Sequence, residues 1–140
     1  MNGKFFLDTN LFIYSLEGTP STKARQATDL IRRAIETRKG VVSYQVVQEF
    51  FSVALRRFDN PMRVDDAEQY LATVFRPLLA VSSSLALYHE ALDVFRRYGI
   101  SWYDALIVAG ALQAQCSILY SEDLQDGQQI ARLEIRNPFR

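Results

Sequence analysis

Four acids in this chain stand where a carboxylate is either costly or useful. Asp8 closes a short apolar run, and Glu49 is flanked by Val46, Val47, Phe50 and Phe51. Asp104 precedes an almost charge-free stretch, and Asp123 lies just past the apolar run Ile118–Tyr120. Carboxylates so near a core are costly unless a cation compensates them. The chain has one His and one Cys, so no cluster of soft ligands accompanies the acids. Hard oxygen donors of this kind suit Mg²⁺ or Mn²⁺ rather than Zn²⁺. Such a site serves phosphate-ester hydrolysis: metal ions activate a water, shield the phosphate charge and stabilise the leaving oxygen, while a carboxylate orients the attacking water. No nucleophilic side chain is required. Each acid also has an ordinary role open to it. Asp8 could cap a helix beginning near Asn10, Asp104 could complement a helix dipole, Glu49 could be solvated and Asp123 could be a turn residue.

The elements that must position these acids follow from periodicity. Lys4–Asp8 reads as a strand ending in an acid. Pro20-Ser21 then opens a stretch in which Ala24, Ala27, Leu30, Ile31, Ala34 and Ile35 recur at helical spacing as far as a helix-ending Gly40. Val41-Val42-Ser43 is a second strand, followed by a helix carrying Val46, Val47, Phe50, Phe51, Ala54 and Leu55. After the turn Asp59-Asn60-Pro61, Asp65 is the expected cap of a helix with Tyr70, Leu71, Val74 and Phe75 on its apolar face, ended by Pro77. Leu78–Ser82 is a third strand; Ser84 caps a helix with Leu85, Tyr88, Leu92 and Phe95 along it, stopping at Gly99. Ser101 caps the charge-poor central helix, Ile118–Tyr120 is a fourth strand, Asp126-Gly127 a turn and Leu133–Ile135 a marginal fifth strand. Strands alternating with helices predict a three-layer α/β/α sandwich on a central parallel sheet of four to five strands. Open parallel sheets place their sites beyond the carboxyl ends of the strands, where these acids stand.

Composition excludes several other classes. In 140 residues, 49% hydrophobic and 23% charged, 16 basic side chains balance 16 acidic ones. That composition describes one compact domain rather than a disordered tail, and a net charge of zero argues against a binder working by bulk positive charge. The longest charge-free stretch, Ala105–Ser121, contains Gln113, Gln115 and two serines and falls short of a membrane span. With Cys116 alone and no apolar leader after Lys4, a cytoplasmic location is expected. His89 has no second ligand nearby and reads as structural or surface. Arg25, Arg32, Arg33, Arg38 and Lys39 read as a solvated face, with an RNA-backbone role as the alternative.

Four motifs in order give the chain a family likeness. Phe6-Leu7-Asp8-Thr9-Asn10, Ser43-Tyr44-Gln45 through Gln48-Glu49-Phe50, Trp102-Tyr103-Asp104-Ala105-Leu106-Ile107 and Leu119-Tyr120-Ser121-Glu122-Asp123-Leu124 resemble the acidic motifs of PIN-domain ribonucleases, specifically the toxin subunits of VapBC toxin–antitoxin pairs. The likeness spans nearly the whole chain and implies one PIN-like nuclease domain over residues 1–140. It implies a Mg²⁺- or Mn²⁺-dependent endoribonuclease of a type II toxin–antitoxin pair, with Asp8, Glu49, Asp104 and Asp123 as catalytic and metal-binding acids. On that resemblance Asp8, Asp104 and Asp123 are direct ligands, Glu49 binds through water or positions the nucleophile, and Asn10 and Ser121 orient carboxylates. Glu122, Asp123 and Asp126 crowd together; the Ser-x-Asp spacing favours Asp123, and Asp126 could serve the turn.

The resemblance also implies an RNA substrate, a cognate antitoxin whose tail lies near Leu11, Phe12, Ile13, Tyr14 and Leu16, and a homodimer. Three other readings compete with it, one of them a PIN-like scaffold whose site no longer cuts, against which all four expected acids are present. A PIN-like nuclease in RNA processing needs no antitoxin. A phosphoacceptor receiver domain, which is a switch rather than an enzyme, wants adjacent acids after the first strand and a lysine after the last, and no lysine follows Lys39.

Overall fold

A computed structural model describes residues 3–16 and 21–140. Strand β1 (Lys4–Leu7) buries Phe6 and Leu7 completely, as a central strand covered on both faces must. Helix α1 (Thr9–Leu16) follows at once, with Leu11 and Phe12 in the core. Helix α2 (Thr22–Thr37) starts where Ser21 Oγ accepts from the Ala24 amide and buries Ala27, Leu30, Ile31 and Ala34 on one face. Pro20, at which the sequence opens this helical stretch, lies outside the described residues.

Gly40 does not end α2, contrary to the reading from sequence. Arg38 takes the left-handed cap position, with φ of 61°, and Gly40 already belongs to β2 (Gly40–Ser43). Its glycine identity serves close approach, because a Cβ there would lie 2.2 Å from the Ala34 Cβ.

Helix α3 (Tyr44–Ala54) leads to α4 (Val64–Tyr70), which begins after Arg63 rather than at Asp65. Asp65 and Asp66 sit in its first turn, where the helix dipole favours negative charge. A π-helical turn, Leu71–Phe75, continues the helix and closes before Pro77, as expected; Phe75 is buried whereas Leu71 is exposed. Phe12, Phe50 and Phe75 interlock, with ring centroids 5.0 Å apart for Phe12–Phe75 and 5.3 Å for Phe50–Phe75. This aromatic knot fixes α3 against α1.

After β3 (Leu79–Val81), Ser84 caps α5 (Leu85–Tyr98), which ends at Gly99 with φ of 66°. Leu87, Ala91 and Val94 face the core, while Leu85, Tyr88, Leu92 and Phe95 form an exposed stripe. Helix α6 (Trp102–Gln113), buried continuously from Ala105 to Leu112, packs on α5, β2 and β4 (Cys116–Tyr120).

The remaining strands correct the expected count. A two-residue strand, β5 (Gln129–Ile130), pairs antiparallel with β6 (Leu133–Arg136), so the sheet has six strands in the order β3-β2-β1-β4-β6-β5, parallel except at that edge. The chain runs outward from β1 through β2 to β3 and then returns to β4 on the other side of β1. That reversal makes the β1/β4 border a topological switch point, where an open parallel sheet leaves a crevice at its carboxyl edge. None of the described helices is long and apolar enough to cross a membrane.

Candidate active site

Asp8 emerges from β1 at the switch point and is 7% exposed. Its amide donates to the Tyr120 carbonyl at 3.1 Å, tying it to the end of β4. Its Oδ1 accepts from the Thr9 amide at 2.7 Å, and its Oδ2 accepts from Ser121 Oγ at 2.8 Å. The same Ser121 Oγ accepts from the Asp123 amide at 3.2 Å. Asn10 Nδ2 donates to Asp123 Oδ2 at 3.2 Å across the switch point.

Glu49 reaches this border from α3. Its Oε1 accepts from Thr9 Oγ1 at 2.6 Å and its Oε2 from Gln45 Nε2 at 3.1 Å. Gln45, one helical turn before Glu49 and buried, also donates to the Tyr103 carbonyl at 3.1 Å. This pair of contacts pins α3 to the start of α6. Asp104 stands in the first turn of α6, where Ser101 Oγ accepts its amide at 3.1 Å.

Asp8, Glu49, Asp104 and Asp123 line one crevice of about 260 Å³, together with Thr9, Asn10, Gln45, Tyr103 and the apolar Ile13, Val53 and Ile107. No Lys, Arg or His is among the lining residues. Burial pushes the Asp8 carboxyl up from its ordinary 3.8 to about 7, against the lowering effect of Ser121 and Thr9 and with the help of Asp123 and Glu49. Burial also raises Asp104, with Glu49 adding to it, and raises Asp123, with Asp104, Glu122 and Glu49 adding. No basic side chain of the lining offsets this shift. Among the described residues no three His, Cys, Asp or Glu side chains are already drawn together as a metal cage.

The other acids near β4 face elsewhere. Glu122 accepts from Tyr14 OH at 2.5 Å and pairs with Lys23, contacts that hold its carboxyl below the usual range. Asp126 accepts the Asn137 amide at 2.8 Å, beside the Gly127 turn. His89 is exposed, and Cys116 is fully buried with its thiol pushed up to about 12. Arg25, Arg32, Arg33 and Arg38 are exposed. Leu11 and Phe12 pack inward, Ile13 and Tyr14 are half-buried, and Leu16 is exposed.

Thr9, Gln45 and Tyr103 join the crevice without having been singled out as site residues from sequence. For Gln45 the i,i+4 spacing to Glu49 on one helix was the available signal. The Thr9–Glu49 contact joins two different elements and left no local trace.

The chain belongs to the PIN domain family, whose model matches residues 5–132. Its fold resembles a chain of a toxin–antitoxin complex from Klebsiella pneumoniae (TM-score 0.68, 17% identity, 96% of this chain and 98% of that one). It also resembles Mycobacterium tuberculosis VapC20, described as a sarcin–ricin loop cleaving toxin (TM-score 0.62, 22% identity, 86% and 90%). A third likeness is to VapBC2 from Rickettsia felis, bound to a fragment of its promoter DNA (TM-score 0.66, 15% identity, 95% and 97%). No curated protein sequence matches this chain.

Proposed function

We propose that this protein is a Mg²⁺- or Mn²⁺-dependent endoribonuclease, the toxin of a type II toxin–antitoxin pair, with the whole chain as its single nuclease domain. The observation that carries this reading is the convergence of four carboxylates, from four separate segments, on one crevice with no cationic side chain in its lining. Membership in the PIN family supports hydrolysis of phosphodiester bonds. The fold shared with toxins and toxin–antitoxin complexes supports the biological role.

The donor set fits a hard divalent cation, because every charged group in the lining is a carboxylate oxygen. Asp8, Asp104 and Asp123 would hold it, with Glu49 assisting. Such an ion, when bound, supplies positive charge to the phosphate and a more acidic water. The chain's own residues do the rest. Ser121 and the Thr9 amide hold both oxygens of Asp8, which fixes the carboxylate's direction. Thr9 and Gln45 hold both oxygens of Glu49, leaving it oriented to accept a proton from an attacking water. Asn10 steadies Asp123 in the same way.

A cognate antitoxin is the expected partner, and RNA the substrate. A second copy of the chain is the expected occupant of the apolar α5 stripe of Leu85, Tyr88, Leu92 and Phe95. A cytoplasmic location follows from the reading as an RNase of the cell's own RNA.

Induced expression in bacteria tests the toxin reading. Wild type should arrest growth and leave discrete RNA fragments, and Asp104→Asn should do neither. Equal arrest by both proteins, or arrest without RNA cleavage, would overturn it.

A further inference from the structure

Tyr103 is the most exposed large side chain of the crevice lining, at 65% of its full surface. An aromatic ring so open contributes little to the core, and its neighbour in sequence is Asp104. Its backbone is nevertheless held firmly, because Gln45 Nε2 donates to the Tyr103 carbonyl while also holding Glu49. The backbone from which the ring projects is therefore a fixed part of the rim, in the first turn of α6 rather than in a loose loop.

More aromatic surface lies beside it. Trp102 stacks on Tyr88, with ring centroids 6.5 Å apart and planes 23° from parallel, and Tyr88 OH lies 3.4 Å from Tyr44 OH. The crevice lining has no Lys or Arg, so beyond the one phosphate that a bound cation would hold it offers no positive charge to a nucleic-acid backbone. Beyond that phosphate, the exposed Tyr103 ring offers a surface for a base. Stacking on an aromatic face is the interaction that accepts any base and needs no charge.

We propose that Tyr103 is the base-stacking residue of this site: an unpaired nucleobase next to the scissile phosphate lies on its ring. This deepens the ribonuclease reading and rests on it. A base inside a duplex is already stacked on its neighbours, so the device selects single-stranded or looped RNA. The ring borders the acids themselves, whereas the apolar surface at Leu55, Val64 and Leu71 shares no residue with the crevice lining.

Steady-state cleavage of a short single-stranded oligoribonucleotide in Mg²⁺, with wild type, Tyr103→Ala, Tyr103→Phe and Tyr103→Leu, tests the assignment. Stacking predicts that Ala and Leu raise KM about tenfold or more while kcat changes by less than about threefold, and that Phe restores most of the loss. Melting temperatures should stay together, since the ring is largely in solvent. A second readout uses Trp102, the only tryptophan. Titrating the same oligonucleotide in EDTA should change its fluorescence in wild type and Tyr103→Phe, with binding about tenfold weaker in Tyr103→Ala and Tyr103→Leu. Wild-type KM and binding in Tyr103→Leu or Tyr103→Ala, in an enzyme that cleaves RNA, would overturn this inference and leave the ribonuclease reading standing. The same kinetics with altered sedimentation would assign the ring to a protein interface instead. A wild type that neither binds nor cleaves RNA would remove both proposals.

Discussion

Thr9 Oγ1 donates to Glu49 Oε1 at 2.6 Å, joining residues forty positions apart and locking the start of α1 to the helix after β2. The hydroxyl is the only donor that Thr9 can aim at that carboxylate besides its amide, which is already given to Asp8. Replacing it with an isosteric methyl should free Glu49 without disturbing the core. Thr9→Val is expected to lower kcat by about tenfold or more while KM and the melting temperature stay close to wild type. Initial rates in Mg²⁺ check this, and an unchanged kcat would show that Glu49 needs no orientation.

Asp8 sets a pH dependence of stability. Its carboxyl is raised from 3.8 to about 7 in the folded chain, so folded protein keeps a proton that the unfolded chain has released. Stability of the metal-free protein therefore falls as pH rises from about 4 to about 7 and is lowest above that window. Asp104 and Asp123, both raised, act in the same direction. Thermal melts in EDTA should give a higher melting temperature at pH 5 than at pH 8, with a flatter profile in Asp8→Asn. Because a cation must displace this proton, metal affinity should increase through neutral pH.

The uncompensated charge of Asp104 gives opposite signs for activity and stability. Burial, then the nearby Glu49, disfavour its ionised form. Asp104→Asn should stabilise the metal-free protein by up to about 1 kcal/mol, a figure held low because solvent screens a half-exposed group. The same change should reduce cleavage by about a hundredfold and shrink the melting-temperature gain from Mg²⁺. An acid that merely complements the α6 dipole predicts the reverse: a loss of about 0.5–1 kcal/mol, with or without metal.

Glu122 lies one residue from Asp123 yet is engaged by Tyr14 and Lys23 outside the crevice. Glu122→Gln should leave kcat within about twofold of wild type. Its half-exposed ion pair should cost less than about 1 kcal/mol in a denaturant melt. A loss of cleavage comparable to that of Asp104→Asn would bring Glu122 into the site.

Much of this arrangement can be read from the chain, and the rest cannot for physical reasons. The alternation of apolar runs with helical periods, the Ser84 and Ser101 caps and the placement of Asp8 at a strand end are local, and local rules carry them. On α5 two apolar faces compete, and the larger residues Leu85, Tyr88, Leu92 and Phe95 suggest a core face that Leu87, Ala91 and Val94 in fact supply. Periodicity identifies a helix but does not choose between two stripes. Strand β5 has two residues, too few for any period, and is defined by its pairing with β6. Arg38 rather than Gly40 adopts the left-handed cap, and Gly40 instead serves its close approach to Ala34, a packing constraint that helix-end rules do not carry. The bonds from Thr9 to Glu49 and from Gln45 to the Tyr103 carbonyl likewise exist only once α1, α3 and α6 have packed.

The most direct test of the central claim is cleavage of single-stranded RNA by the purified protein in EDTA, after return of Mg²⁺ or Mn²⁺, and by Asp8→Asn under both conditions. The account predicts cleavage by wild type only with the divalent ion, and a rate at least about a hundredfold lower in Asp8→Asn despite a retained fold. Equal cleavage in EDTA and Mg²⁺ by repurified wild type, or full activity in Asp8→Asn, would contradict it.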